Sequence, residues 1–313
     1  MADLFSVLAW SNAALVEPAR KTALLEQIDA TIASTLQVER EAGQLALLLP
    51  YARREGFRDP AGRSVFVDGE VAMMLAARLV VAPDPELRDA LQRRVVLIEE
   101  AMTRSPTLSA ESYPNECWTF CNTTALAALV LSDRVLGTDH TALVRAWVEF
   151  AKHSLVDPET GLLISSYTYD GDVLDGPEGS SIFMVAHNLL LLDPPFARDQ
   201  YVRAAEGLSQ CTLGFCTAAE WPEDAPHRVD IDSGGIVPGL RASPGASGLA
   251  LLGAAAFEDD ELRDGLLRSM EVAAVPTRDS GAIWYRAAGR IGNAVAAYAL
   301  HLGPLWSYAT EDA

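Results

Sequence analysis

Positive charge is scarce in this chain. Lys and Arg total 24 against 43 Asp and Glu, a formal net charge of −19 over 313 residues. Nucleic acids and anionic membrane surfaces are held by basic footprints, so neither is expected as a partner. Long apolar runs are lacking too. No stretch approaches the roughly 20 residues that cross a bilayer, so membrane insertion is not expected. Residues 1–18 carry Asp3 and Glu17, with no basic cluster ahead of their apolar stretch. That pattern argues against a secretory signal and for a cytoplasmic protein with reduced thiols. The four cysteines fall as Cys117/Cys121 and Cys211/Cys216. Neither spacing is C-x-x-C, and no His lies at ligand spacing, so a structural zinc site is not expected. The chain also lacks G-x-S-x-G, Walker A and dinucleotide-binding fingerprints, which weakens lipase, nucleotide-dependent and nicotinamide readings.

What is present is helical periodicity. It runs over Lys21 to Leu36, Val71 to Val81, Glu86 to Met102, Thr119 to Leu136, Thr141 to Leu155, Ser181 to Leu192, Phe196 to Leu208, Gly245 to Phe257, Asp260 to Ala273 and Ile291 to Leu302. Only Leu162 to Tyr169 and Ala282 to Arg286 read as extended. The helices pair. One member is small and apolar all round, as in T-T-A-L-A-A-L-V-L, and its successor is amphipathic, as in E-L-R-D-A-L-Q-R-R-V-V-L-I-E-E. All-round apolar helices are buried and amphipathic ones face water. The buried members start near residues 70, 119, 181, 245 and 291, a repeat of helical hairpins that suggests a solenoid or a ring. The predicted fold is an all-α single domain over residues 1–313, an α/α toroid of inner and outer helices (an α6/α6 barrel, complete or partial). Residues 1–40 form an N-terminal helical segment with an expected interface role.

The longer connections, Tyr51 to Gly69, Ser105 to Trp118, Asp157 to Ser180, Cys211 to Pro244 and Val275 to Arg290, all lead into inner helices. In a toroid they gather at one end, and loops on a rigid scaffold concentrate function. The segment Ser109 to Leu136 is the richest, with Tyr113, Asn115, Glu116, Cys117, Trp118, Cys121 and Asn122 crowded at a helix start. A thiolate at Cys117 or Cys121 would gain from the helix dipole; the plainer alternative is cysteine packed as a small hydrophobe. Glu70, directly before the buried helix at Val71, is a general acid or base if its carboxyl faces an apolar cavity, or a first-turn acid serving the dipole. Asp175 and Glu178 follow an Asp/Gly-rich turn that lacks the order of a calcium loop and are expected at the site mouth. His187 is a buried hydrogen-bonded residue or a cavity-facing acid–base group. Asp230 and Asp232 share a face if extended and would suit a site rim or the carboxylate pair of a glycosidase. Trp118, Tyr167 and Trp284 are candidates to stack on or wall in a ligand.

Beyond these readings, the chain resembles the linalool dehydratase/isomerase family. The likeness lies in Y-P-N-E-C-W-T-F-C-N-T-T-A-L at 113–126, D-R-V-L-G-T-D-H at 133–140, R-A-W-V-E-F at 145–150, L-V-D-P-E-T-G at 155–161, S-Y at 166–167 and D-P-P-F-A-R at 193–198. It extends from about Asp59 to Asp264. It implies an α6/α6 barrel enzyme without metal or organic cofactor that adds or removes water at a small apolar alcohol and shifts a double bond. It also implies a homo-oligomer with the site near a subunit interface. Cys121 falls on one of the family's two active-site cysteines, whereas Ser112 stands where the other would be. Glu70 stands at the family's catalytic His, and the family's Tyr on the next inner helix falls near Ser181. The expected activity is a cofactor-independent lyase or isomerase acting on a terpenoid- or polyketide-like substrate. Glu70, Cys121, Glu116 and Tyr113 are its catalytic candidates; Ser112, Asn115, Cys117, Trp118, Asn122, Tyr167, Asp175, Ser181, His187, Asp230, Asp232 and Trp284 are its substrate contacts. A glycoside-active enzyme and a non-catalytic binding toroid are the alternatives.

Overall fold

The computed structural model describes residues 1–223, 235–237, 241–279 and 282–310. The described chain carries helices α1 (Ala2–Val16), α2 (Lys21–Ala42), α3 (Val65–Val81), α4 (Pro85–Arg104), α5 (Thr119–Leu136), α6 (Thr141–Ser154), α7 (Gly179–Leu189), α8 (Pro194–Leu208), α9 (Pro244–Ala256), α10 (Asp260–Ala273), α11 (Gly289–Ala299) and α12 (Pro304–Thr310). Helix starts follow capping chemistry. Asp84, Asp193, Ser243 and Asp259 each accept a backbone N–H two or three residues into α4, α8, α9 and α10, with proline in the first turn of α4, α8 and α9. Such caps satisfy donors that the helix itself cannot.

The inner ring closes. In order, α1, α3, α5, α7, α9 and α11 each pack on the next, and α11 returns to α1. Residues 1–40, expected to be an interface element, thus supply the sixth inner helix and, in α2, its amphipathic partner. Close approach explains two glycines. A Cβ on Gly69 of α3 would stand 3.0 Å from the Ala125 Cβ on α5, and one on Gly179 would stand 2.2 Å from the Ala219 carbonyl oxygen. Gly179 also donates its N–H to the Glu220 carbonyl at 2.7 Å. The start of α7 is thereby pinned against residues 219–220.

Short strands trim the loops. β1 (Cys117–Trp118), β2 (Ser166–Tyr167) and β3 (Val173–Asp175) form one antiparallel sheet in that order. Hairpins join β4 (Ser209–Thr212) to β5 (Phe215–Ala218) and β6 (Pro276–Asp279) to β7 (Ala282–Tyr285). The β4–β5 register sets Cys211 opposite Cys216, with Cα atoms 4.1 Å apart, and a disulfide joins them. The expectation of reduced thiols is corrected for that pair. A spacing of five residues suits a bridge across a tight hairpin, which is legible only once the hairpin is known.

The last helix, α12, does not extend the outer layer. It packs on α1, α3 and α5. Leu305 donates its N–H to the Asn12 side chain at 2.9 Å, and the Trp306 indole lies 4.3 Å from the His187 ring in a stacked pair. It floors the barrel at the end where α7 finishes, leaving the other end for a site.

Candidate active site

A cavity of about 440 Å³ opens at the end where the inner helices begin, a volume suited to a small organic ligand. Its wall takes Met1, Ala2 and Asp3 from the start of α1, Phe66, Val67, Glu70, Val71 and Met74 from α3, Phe120 and Cys121 from α5, Ser180 and Ser181 from α7 and Ile291 from α11. Thr35 of α2, the Leu47–Leu49 stretch, Tyr113 and Trp118 complete it. The convergence of inner-helix N-termini is what the loop lengths implied.

Glu70 lies deeper in its helix than the sequence suggests. The helix begins at Val65, with Ser64 as its cap, so the Glu70 side chain emerges in the second turn rather than the first. It is 8 % exposed. One carboxylate oxygen accepts from the Met1 amino group at 2.5 Å, and the other, Oε1, is buried with no partner. Burial raises its pKa above the ordinary 4.5; the neighbouring ammonium opposes that shift and the Asp3 carboxylate adds to it. Asp3 itself is engaged by Arg290 and by the Thr35 hydroxyl. Cys121 sits in the first turn of α5 at 6 % exposure, outside any disulfide.

Tyr113, Trp118 and Ser181 join Glu70 and Cys121 on the wall. The Tyr113 ring is stacked on Tyr51 at 4.8 Å and lies 6.4 Å from Phe66. Its loop turns at Pro114-Asn115, where Asn115 has φ 57° and Glu116 donates its N–H to the Tyr113 carbonyl. Proline followed by a left-handed residue is the type II pattern, in which Asn substitutes for Gly. Glu111 anchors this turn, accepting the N–H groups of Arg58, Asp59 and Asn115.

Among the described residues, the other expected site residues are not among those that line this cavity. Glu116, a catalytic candidate, is turned by that loop toward Tyr51 and Trp118, whose O–H and indole N–H it accepts at 3.1 and 3.3 Å. It shapes the aromatic wall from behind. Ser112 accepts the Trp118 N–H on its hydroxyl, and its carbonyl takes the Ser64 hydroxyl. Asn122 spends its amide on the Ala110 N–H and on the Ala110 and Trp118 carbonyls.

Cys117 is in β1, ahead of the helix, and is fully buried with its thiol toward the Ser109 carbonyl. Burial pushes that thiol well above its ordinary pKa, which corrects the idea of an activated thiolate there. Tyr167 is fully buried and donates to the Ser109 hydroxyl at 2.6 Å, beside the Trp147 indole N–H at 2.9 Å. Asp175 accepts the Ser166 hydroxyl across the β2–β3 sheet. His187 is at the barrel floor, bonded to the Tyr298 hydroxyl at 2.9 Å and held neutral by burial, its pKa lowered to about 3. The hydrogen-bonded reading of His187 is the one observed. Trp284 is 49 % exposed on β7, away from the wall. Asp230 and Asp232 lie outside the described residues.

Sequence reasoning missed Ser180, Glu220 and the α1 start. Ser180 donates its hydroxyl to a Glu220 carboxylate oxygen, and Glu220 is 2 % exposed. The all-round apolar run at residues 4–15 was the available signal for α1. Among the described residues, no group of three or more His, Cys, Asp or Glu side chains is placed to hold a metal ion, and no helix is long and apolar enough to cross a membrane.

Solved structures share the fold at low identity. The unsaturated glucuronyl hydrolase of Bacillus sp. GL1 superposes with TM-score 0.62 at 10 % identity, over 95 % of this chain and 84 % of that one. A D-mannose isomerase gives 0.57 at 12 % identity, over 96 % and 87 %. The GH76 alpha-mannanase of Bacteroides thetaiotaomicron gives 0.55 at 10 % identity, over 96 % and 84 %. These place the chain among α/α toroids and carry no argument beyond the fold. The family description linalool dehydratase/isomerase matches residues 89–291, a span that includes the β1–α5 segment with Cys121. With about two-thirds of its length matched, this chain belongs to the linalool dehydratase/isomerase family.

Proposed function

We propose that the chain adds or removes water, or shifts a double bond, on a small terpenoid- or polyketide-like alcohol held in this cavity, without a cofactor. Membership of the family makes it an enzyme of the lyase/isomerase kind; the substrate and the residue roles are our reading. The observation that carries it is Glu70, a buried carboxyl with one oxygen unpartnered and a raised pKa, in a wall made largely of Phe, Leu, Val and Met.

A buried carboxylic acid that holds its proton above the ordinary carboxylate range can serve as a general acid. Glu70 gives its proton to the substrate hydroxyl, the C–O bond breaks and water leaves. The positive charge that develops on carbon faces the rings of Phe66, Tyr113, Trp118 and Phe120, whose π faces favour a cation. Loss of a proton from the neighbouring carbon completes the alkene; the Tyr113 hydroxyl takes that proton as it passes its own to the Glu70 carboxylate, which restores the acid, and Cys121 positions the reacting carbon. Hydration runs the same steps in reverse. A dry cavity strengthens each of these interactions.

Incubation with a panel of allylic alcohols and their alkenes, followed by gas chromatography with mass detection, tests the reading. Product should form with wild type and vanish with Glu70→Gln and Cys121→Ala at unchanged circular dichroism. Equal turnover in both variants removes the proposal. A glycoside-active reading rests on Asp3 sharing the cavity with Glu70; the engagement of Asp3 by Arg290 and Thr35 disfavours it. Reducing sugar released from a glycan panel would restore it. Assembly into a homo-oligomer is part of the proposal, and light scattering reporting a monomer removes it.

A further inference from the structure

The wall has a second polar pole at the start of α7, with one inner helix, α5, between it and Glu70. Ser180 and Ser181 both line the cavity there. Their hydroxyls differ in what they have left to offer. Ser180 has committed its hydrogen to a carboxyl oxygen of the buried Glu220. It therefore presents lone pairs to the cavity. Ser181 is 4 % exposed, and its Oγ has no hydrogen-bond partner. Its hydrogen remains available to donate. Buried polar groups are rarely left unpaired in a finished structure, so the pair is set for a visitor that donates to Ser180 and accepts from Ser181. A hydroxyl does both; an ether or carbonyl can only accept, and a hydrocarbon does neither.

We infer that Ser180 and Ser181, with Glu220 fixing the direction of the Ser180 hydrogen bond, form a hydroxyl-recognition subsite, and that the substrate carries a second hydroxyl remote from the one that reacts at Glu70. This rests on the proposed site and narrows its substrate class from a simple alcohol to an apolar molecule with hydroxyls at two separated positions. Phe120 and Cys121 of α5, between the two poles in the ring, face the apolar body that joins them.

The test is titration calorimetry at neutral pH with a linear eight-carbon alcohol, the corresponding terminal diol and the monomethyl ether of that diol. One well-made hydrogen bond is a factor of up to about ten in affinity. Wild type should bind the diol about tenfold more tightly than either other ligand. Ser181→Ala should reduce diol affinity toward that of the mono-alcohol and leave mono-alcohol binding unchanged. Glu220→Leu removes the acceptor behind Ser180, frees the Ser180 hydrogen and should raise the ether relative to the diol. Equal binding of diol and mono-alcohol by wild type, or an undiminished preference in both variants, overturns the inference. Glu70→Gln separates the two readings: it should abolish turnover yet keep the diol preference, and loss of preference in that variant alone also counts against the subsite.

Discussion

The buried carboxylate of Glu70 on α3 takes the amino group of Met1 at 2.5 Å through one oxygen, while its other oxygen has no partner. Two opposed effects meet there. Burial favours the neutral acid, the ammonium favours the anion, and burial is the larger, since the pKa is raised. Glu70 therefore holds its proton into a range where an exposed Glu has lost it.

That shift has a sign in stability. Between pH 4.5 and the raised folded value, folded Glu70 is protonated while the unfolded chain has released its proton, so stability falls as pH rises through the window. Glu70→Gln lacks this penalty. Its melting temperature should gain on wild type as pH climbs above 4.5, and parallel melting curves against pH would refute the assignment. Turnover in the same variant should fall by at least roughly a hundredfold, the usual contribution of a general acid, to below detection in the product assay.

The two thiols outside the disulfide should separate chemically. Cys121 lines the cavity, whereas Cys117 is fully buried with its pKa driven up, chiefly by desolvation. A small alkylating reagent should label one cysteine per native chain, slowly, and peptide mapping should place the label on Cys121. A cavity-filling alcohol should protect it. Equal labelling of Cys117 in the native protein would contradict the placement.

Those two cysteines also show what the sequence disclosed and what it hid. Helix α5 was legible from Thr119 to Leu136 because its residues are small and apolar and Gly137 ends it in the left-handed conformation at φ 75°. Its neighbour α3 was legible only from Val71. The preceding V-F-V-D-G is β-branched and ends in a turn signal, yet it is helical because Gly69 lets α3 approach Ala125 of α5. Tertiary packing outweighed local preference there, and the depth of Glu70 moved with it. The direction of Glu116 was hidden for a different reason. Which way a residue faces after a two-residue turn depends on the φ of Asn115, a quantity that periodicity does not carry. Ser180 and Glu220 are 40 residues apart, and no local pattern connects them.

A network behind the cavity should govern its integrity. Arg94 of α4 and Arg63 together hold Glu39 of α2 and Asp68 of α3, and Gln44 bridges Asp68 to the Ser64 N–H at the start of α3. Removing one partner strands buried charge, which costs about 3–5 kcal/mol, so Arg94→Ala should melt well below wild type. Although burial pushes the other way, Arg94 and Arg63 bring the pKa of Glu39 down to about 2. A lowered carboxylate contributes stability above pH 4.5 and loses it as pH falls toward 2. Wild type should therefore lose melting temperature faster over that range than Arg94→Ala. Superimposable acid limbs would show that the network is not electrostatically coupled to folding.

The barrel floor makes the opposite kind of demand on a titratable group. His187 is sealed beneath Trp306 and bonded to Tyr298, and burial lowers its pKa from 6.5 to about 3. Between those values the unfolded chain takes up a proton that the folded protein refuses, so stability falls as pH drops below 6.5, by up to about 1.4 kcal/mol per pH unit. His187→Leu should flatten that limb, and the His187 ring resonances of the native protein should not titrate down to pH 5. Trp306→Ala should cost about 3–5 kcal/mol as a large-to-small core change. By admitting water to the ring, it should also return His187 to a titratable range while the protein stays folded. A wild-type His187 that titrates near 6.5 would show that α12 does not seal the floor.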